Sequence, residues 1–211
     1  METEAGYDTG RIGVLLAAGR GRRMGQTKQL LSYSSESGSK PLVAAAFDAI
    51  AGVCQEMVVV LGHEADAVSR ALGHRTFHRV ESDPDAEMFG SVRAGLEAAR
   101  QLHPAADVLL QPGDHPAVRR KTLEALIRIG LAHPLCAVMP VYRGQGGHPV
   151  LIPPSVVREV LGYKGHGGLR QFWLEYPLLC LRLVVSDDAV VQDLDTPSDY
   201  ESHLGDDTGV P

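Results

Sequence analysis

The chain has 211 residues, 44% hydrophobic and 22% charged, with a formal net charge of -6. That length suits one ordinary domain of about 100–200 residues with a core of its own, and the acidic balance speaks against a nucleic-acid or membrane-surface binder, which is usually basic. Three cysteines, Cys54, Cys136 and Cys180, far apart and without metal-ligand spacing, read as buried free thiols of a reducing compartment and not as a disulfide scaffold.

Residues 1–10, "METEAGYDTG", are too acidic and polar for a signal or transit peptide and read as a flexible N-terminal tail. Residues 11–204 read as a single domain. "GDDTGVP", residues 205–211, reads as a flexible C-terminal tail. No apolar run approaches the roughly 18–20 residues that cross a bilayer. The expectation is a soluble cytoplasmic protein with neither membrane nor nucleic acid as partner.

From the N-terminus, Arg11–Leu16 ("RIGVLL") is a short apolar run that predicts a central strand. The stretch from Leu15 to Leu31 then passes through a glycine-rich turn into the expected start of a helix. Ser32–Lys40 reads as a serine-rich, turn-forming insert. Pro41–Ile50 has helical composition with proline in its first turn. Met57–Leu61 ("MVVVL") is β-branched and closes in Gly62, as a parallel strand buried on both faces does. A helix over Glu64–Leu72, a brief strand over Thr76–Val80 and a helix over Ser91–Leu102 follow. Strand Asp107–Leu110 leads through a turn to helix Lys121–Gly130. Strands at Cys136–Tyr142 and Pro149–Ile152, helices near Ser155–Leu161 and Leu169–Tyr176, and a strand over Leu179–Val185 complete the order. Alternating strands and helices predict a mostly parallel sheet covered on both faces, with an antiparallel addition among the later strands.

In such a sheet, ligands bind beyond the carboxyl ends of the strands, and the chemically suggestive motifs fall there. The loop after the first strand holds Gly19, Gly21 and Gly25 among Arg20, Arg22, Arg23 and Lys28. Glycines let backbone N–H groups turn toward an anion, and the cations neutralise phosphate oxygens. The spacing is neither a Walker A loop nor a G-x-G-x-x-G dinucleotide fingerprint. Asp114, in "LLQPGDHP", ends an apolar strand in a rigid turn, which suits either a Mg²⁺ ligand or a turn aspartate. Asp193 and Asp195 alternate in "VVQDLDTPSDY" and would share a side of an extended chain. Thr196-Pro197 there also resembles a helix start. "YRGQGGHPVLI" carries His148 in a glycine-rich turn, and "GYKGHGGLR" carries Lys164 and Arg170 in another. The histidines show no H-x-x-x-H zinc spacing, and no G-x-S-x-G elbow is present.

Together these residues resemble the molybdopterin nucleotidyltransferase (MobA-like) family. Leu16 through Leu31 meet each fixed position of L-A-A-G-x-G-x-R-M-G-x-x-K-x-L-L. "KPLV", "GSVRAGLEA", "GDHP", "GGHPVLI", "GGLR" and "DLDTPSDY" follow in the family's order, from about Arg11 to Tyr200. The resemblance implies a Rossmann-like three-layer α/β/α sandwich with a mostly parallel mixed sheet, of the nucleotide-diphospho-sugar transferase type. It implies a nucleotide site at Leu16, Ala17, Ala18, Gly19, Gly21, Arg23, Lys28, Gly62 and Ser91. It makes Asp114 and Asp195 the Mg²⁺ carboxylates, and Arg23, Lys28 and Asp114 the catalytic set. His148, Lys164 and Arg170 fall to the acceptor side. The implied reaction joins a nucleoside triphosphate to a phosphate-bearing acceptor such as molybdopterin and releases pyrophosphate, with a molybdoenzyme as a further partner. Ala18 favours CTP, since its methyl crowds a purine more than a pyrimidine. Two departures from the pattern, Ser32 in place of proline and the longer link to Lys40, bear on the acceptor side. The alternatives are a cytidylyltransferase for a sugar- or polyol-phosphate and a non-catalytic nucleotide-binding assembly factor for a molybdoenzyme. A dinucleotide-dependent oxidoreductase is disfavoured by the missing fingerprint.

Overall fold

The computed structural model describes residues 10–19, 27–35, 38–83 and 87–193. Strands β1 (Arg11–Ala17), β4 (Glu56–Leu61), β5 (His78–Glu81), β6 (Asp107–Pro112), β7 (Ala137–Tyr142), β8 (Gln145–Gly146), β9 (Val150–Ile152) and β10 (Cys180–Val184) form one sheet, while β2 (Ser32–Ser35) and β3 (Gly38–Pro41) pair apart from it. The main order is β10-β7-β9-β6-β1-β4-β5, with β8 paired to β7. β1 lies parallel between β4 and β6. β9 runs antiparallel to β6 and to β7. This is the mixed, mostly parallel α/β sheet that the pattern of elements predicts.

Strand side chains alternate between the two faces. Ile12, Val14, Val58, Val60, Val108 and Leu110 pack on one side against α3 (Met88–Leu102), α5 (Pro154–Gly162) and α6 (Gly168–Glu175). Leu15, Ala17, Val59, Leu61 and Leu109 pack on the other against α1 (Leu42–Ala51), α2 (Ala65–Ala71) and α4 (Arg120–Ala132). Near-continuous apolar runs in β1, β4 and β6 follow from burial on both faces. The N-terminal turn of α4 is capped from afar: the buried carboxylate of Asp187 accepts from the Arg119 N–H at 3.0 Å and the Thr122 hydroxyl at 2.6 Å.

Several sequence expectations are corrected. The stretch ending at Leu31 does not begin a helix. Lys28–Leu30 make a single 3-10 turn, and the chain then enters β2. Ser32–Lys40 is not merely a turn-forming insert, because it pairs as an antiparallel hairpin with Ser32 opposite Pro41 and Tyr33 opposite Lys40. Tyr33 is buried with Leu42 and Ala45 of α1, which gives a serine-rich ribbon an apolar anchor. Pro41 stands at the N-cap of α1, not within its first turn. The strand expected at Thr76–Val80 starts at His78, and the three free cysteines are half-buried instead of fully enclosed. The tails, residues 1–10 and 205–211, lie outside the described residues except for Gly10.

Candidate active site

The parallel strands deliver their carboxyl ends to one edge, and β9, being reversed, delivers its amino end there. Backbone contact joins three of these ends. The Gly113 N–H donates to the Leu16 carbonyl at 2.8 Å. A Cβ on Gly113 would stand 3.0 Å from that same oxygen. A Cβ on Gly62 would stand 2.8 Å from the Ala18 carbonyl oxygen and 2.9 Å from the Ala18 methyl. Close approach therefore requires glycine at 62 and leaves little room for a side chain at 113, and Leu16, Ala17, Ala18, Gly62 and Gly113 form a continuous ledge. Ala17 is fully buried and Gly19 is exposed at its rim. Ser91 is joined to this edge through Ser82, whose N–H donates to Leu61 at 2.8 Å and whose hydroxyl meets the Ser91 hydroxyl at 3.0 Å.

Lys28 and Asp114, expected at the site from 86 residues apart, meet there. Lys28 Nζ donates to Asp114 Oδ2 at 3.0 Å. The lysine does not reach into solvent for phosphate as a mobile cation would: its side chain is 8% exposed against 29% for the aspartate. Asp114 Oδ1 is buried and carries no hydrogen bond. An orphaned carboxylate oxygen beside a ligand cleft fits a divalent cation. No cluster of three or more His, Cys, Asp or Glu among the described residues could hold a metal by itself. A cation at Asp114 would thus need a further donor. Asp195, the expected second ligand, lies outside the described residues, as do Gly21 and Arg23 of the loop.

Two histidines back the aspartate. His115 is buried, with Nε2 3.8 Å from Asp114 Oδ1. Its ring meets that of His148 edge to face at a centroid distance of 5.4 Å. The expectation of an acceptor-facing His148 is modified: its Nδ1 is buried without a hydrogen bond, and the ring packs under the site. Burial, reinforced by the neighbouring His115 and opposed by Asp114 and a hydrogen bond with the Leu110 backbone, lowers its pKa to about 4. The imidazole is neutral at physiological pH. The turn that carries it is docked by the His148 N–H on the Val190 carbonyl at 2.7 Å. Lys164 and Arg170 are exposed, in the loop before α6 and in its first turn. A Cβ on Gly168 of that turn would stand 3.6 Å from Phe89, near the start of α3, so this segment flanks the Ser91 side of the cleft. Asp193 is exposed.

Sequence reasoning missed two amides. Gln29 is buried and donates to the Gly19 carbonyl at 3.1 Å, with Oε1 unpartnered. Gln111 is fully buried in β6. The available signal was a polar residue inside the apolar run "VLLQP".

The chain belongs to a nucleotidyltransferase class, the MobA-like NTP transferase domain family, whose profile matches residues 13–178. Bifunctional protein GlmU of Desulfitobacterium hafniense (strain Y51) is 30% identical over 127 residues, 60% of this chain and 27% of that protein. The chain therefore spans about a quarter of that relative's length. Nicotine blue oxidoreductase of Paenarthrobacter nicotinovorans is 32% identical, covering 87% of this chain and 91% of that one. Molybdenum cofactor cytidylyltransferase of Escherichia coli (strain K12) is 22% identical over 89% and 92%. Among solved structures, Rv0371c from Mycobacterium tuberculosis H37Rv is 30% identical with a TM-score of 0.78, over 93% of this chain and 98% of that one. The same protein is known in complex with manganese, at 28% identity and a TM-score of 0.71 over the same shares of the two chains.

Proposed function

We propose that the protein transfers a nucleoside monophosphate, CMP from CTP, to the terminal phosphate of an acceptor of the molybdopterin kind, releasing pyrophosphate with Mg²⁺ as cofactor. The observation that carries this is the joining of Lys28 and Asp114 at the edge where Leu16–Gly19, Gly62 and Gly113 form a backbone ledge. The ledge takes the nucleotide, with the Ala18 methyl narrowing the space for a base and Ser91 bounding it. Gly21 and Arg23 are assigned to the triphosphate by the family pattern, and the Lys28 ammonium offsets negative charge on its oxygens. Asp114 and Asp195 would hold a divalent cation, whose charge would lower the repulsion between two anionic reactants. Lys164 and Arg170, on the Ser91 flank, receive the acceptor's phosphate, and the neutral His148 packs against His115 behind Asp114. Manganese in a relative's complex and the similarity to a molybdenum cofactor cytidylyltransferase support this reading.

The test is pyrophosphate release with each of the four nucleoside triphosphates, with and without Mg²⁺ and molybdopterin. Release with CTP, lost in Asp114→Ala, is the expected result. Release with a polyol phosphate but not with molybdopterin would move the acceptor to another class. A second reading follows from the similarity to nicotine blue oxidoreductase, which exceeds that to the cytidylyltransferase. Oxidation of a reduced dinucleotide by the protein, with no pyrophosphate from any triphosphate, would establish it instead.

A further inference from the structure

Gln111 stands on the α1-facing side of β6, two residues from Leu109, with no exposed surface. A leucine there would fill the same space without an amide to desolvate. The amide is instead divided between two carbonyls: Nε2 donates to Ala46 of α1 at 3.1 Å and to His115 at 2.9 Å. Two carbonyl acceptors fix which end of the amide faces them, and Oε1 is left buried without a partner. The first bond anchors the side chain to the middle of a helix. The second holds the His115–Pro116 peptide, one beyond the peptide that follows Asp114. The Pro112–Gly113 peptide, one before the peptide that leads into Asp114, is held too, by the Gly113 N–H on Leu16. Within the turn itself, the His115 N–H reaches Pro112 only at 3.4 Å. Lys28 holds the Asp114 carboxylate directly at 3.0 Å, and the turn that carries it is held on either side by the Leu16 and Gln111 contacts.

We propose that Gln111 is a positioning residue that holds the Asp114 carboxylate where it receives a divalent cation. The proposal rests on the assignment of Asp114 as a cation-holding group made above. Gln111 touches no substrate and acts through the His115 peptide. Removing its donors while keeping its volume releases the turn, and residues that orient a metal-binding side chain typically change affinity about 10–100-fold.

The experiment measures Mn²⁺ binding to the full chain by the electron-spin signal of the free ion, alongside melting temperature. Wild type, Asp114→Asn, Gln111→Met and Gln111→Leu are compared. The expected result is Mn²⁺ binding that Asp114→Asn abolishes and that folded Gln111→Met or Gln111→Leu weakens about tenfold. Wild-type affinity in a folded Gln111 variant, with Asp114→Asn still abolishing binding, overturns the positioning role and leaves the functional reading intact. Absence of any binding sensitive to Asp114→Asn overturns the metal assignment itself and this proposal with it. If neither Gln111 variant folds, the amide belongs to the fold and the positioning role is likewise overturned.

Discussion

Replacing Lys28 by methionine keeps the buried stem and removes the ammonium that faces Asp114 Oδ2 at 3.0 Å. Breaking one side of a fully buried pair costs about 3–5 kcal/mol, because the other charge is left without a partner. Asp114 retains 29% of its side-chain exposure, so water recovers part of that loss, and about 1–2 kcal/mol remains. A chain of this size shifts by about 2–4 °C per kcal/mol, which sets the expected fall at about 2–8 °C. Asp114→Asn removes the charge that faces the Lys28 ammonium and should also destabilise the fold, by about 1–3 kcal/mol. The double variant should lose less than the sum of the two, with a coupling of about 1 kcal/mol. Scanning calorimetry on all four proteins at neutral pH and one salt concentration gives the cycle. Additive losses would refute the claim that the two side chains hold each other.

The remaining expectations concern the ledge, the cap and the acid limb. Gly62→Ala drives a methyl to within 2.8 Å of the Ala18 carbonyl oxygen. It should cost about 1–3 kcal/mol and weaken CTP binding in a titration calorimeter; wild-type affinity would show the ledge is not where nucleotide sits. Asp187→Ala removes the acceptor for Arg119 N–H and the Thr122 hydroxyl, and should lower the urea midpoint by the equivalent of about 1–3 kcal/mol, with Asp187→Asn milder. Glu56 is held below the usual carboxylate value of 4.5 by hydrogen bonds from His103 and His78. A carboxylate depressed in the folded state adds stability that is present above its unfolded pKa and lost as pH falls through the folded one. Glu56→Gln should therefore be less stable than wild type at neutral pH, with the gap closing below 4.5; a gap constant with pH would contradict the assignment.

The strands and helices were legible because burial on both faces of the sheet writes itself as apolar runs such as "RIGVLL" and "MVVVL". The hairpin β2–β3 was not. Among the described residues its buried apolar anchor is Tyr33, and one residue sets no period. The meeting of Lys28 with Asp114 followed from placing both motifs at strand ends, but the burial of the lysine did not. That depends on packing between the 3-10 turn and α1, which no local spacing records. The fate of His148 was hidden for a related reason. Its partner His115 belongs to a different turn, and only the reversal of β9 brings the two rings together. Gln111 was visible as a polar letter in an apolar strand, yet its meaning lay in two carbonyls distant from β6 or beyond its end.

The strand order also has a consequence for biosynthesis. β6, β1, β4 and β5 are contiguous in the sheet, and their pairing uses no residue beyond Pro112. A ribosome releases that half first, at about 5–20 residues per second, so the ledge of Leu16–Ala18, Gly62 and Gly113 can assemble before His148 reaches His115 behind Asp114. Until β9 arrives, the outer edge of β6 presents Val108, Leu109 and Leu110 unpaired. That interval is when the nascent chain is most open to wrong pairing with another strand, and a pause in translation after β6 would lengthen it.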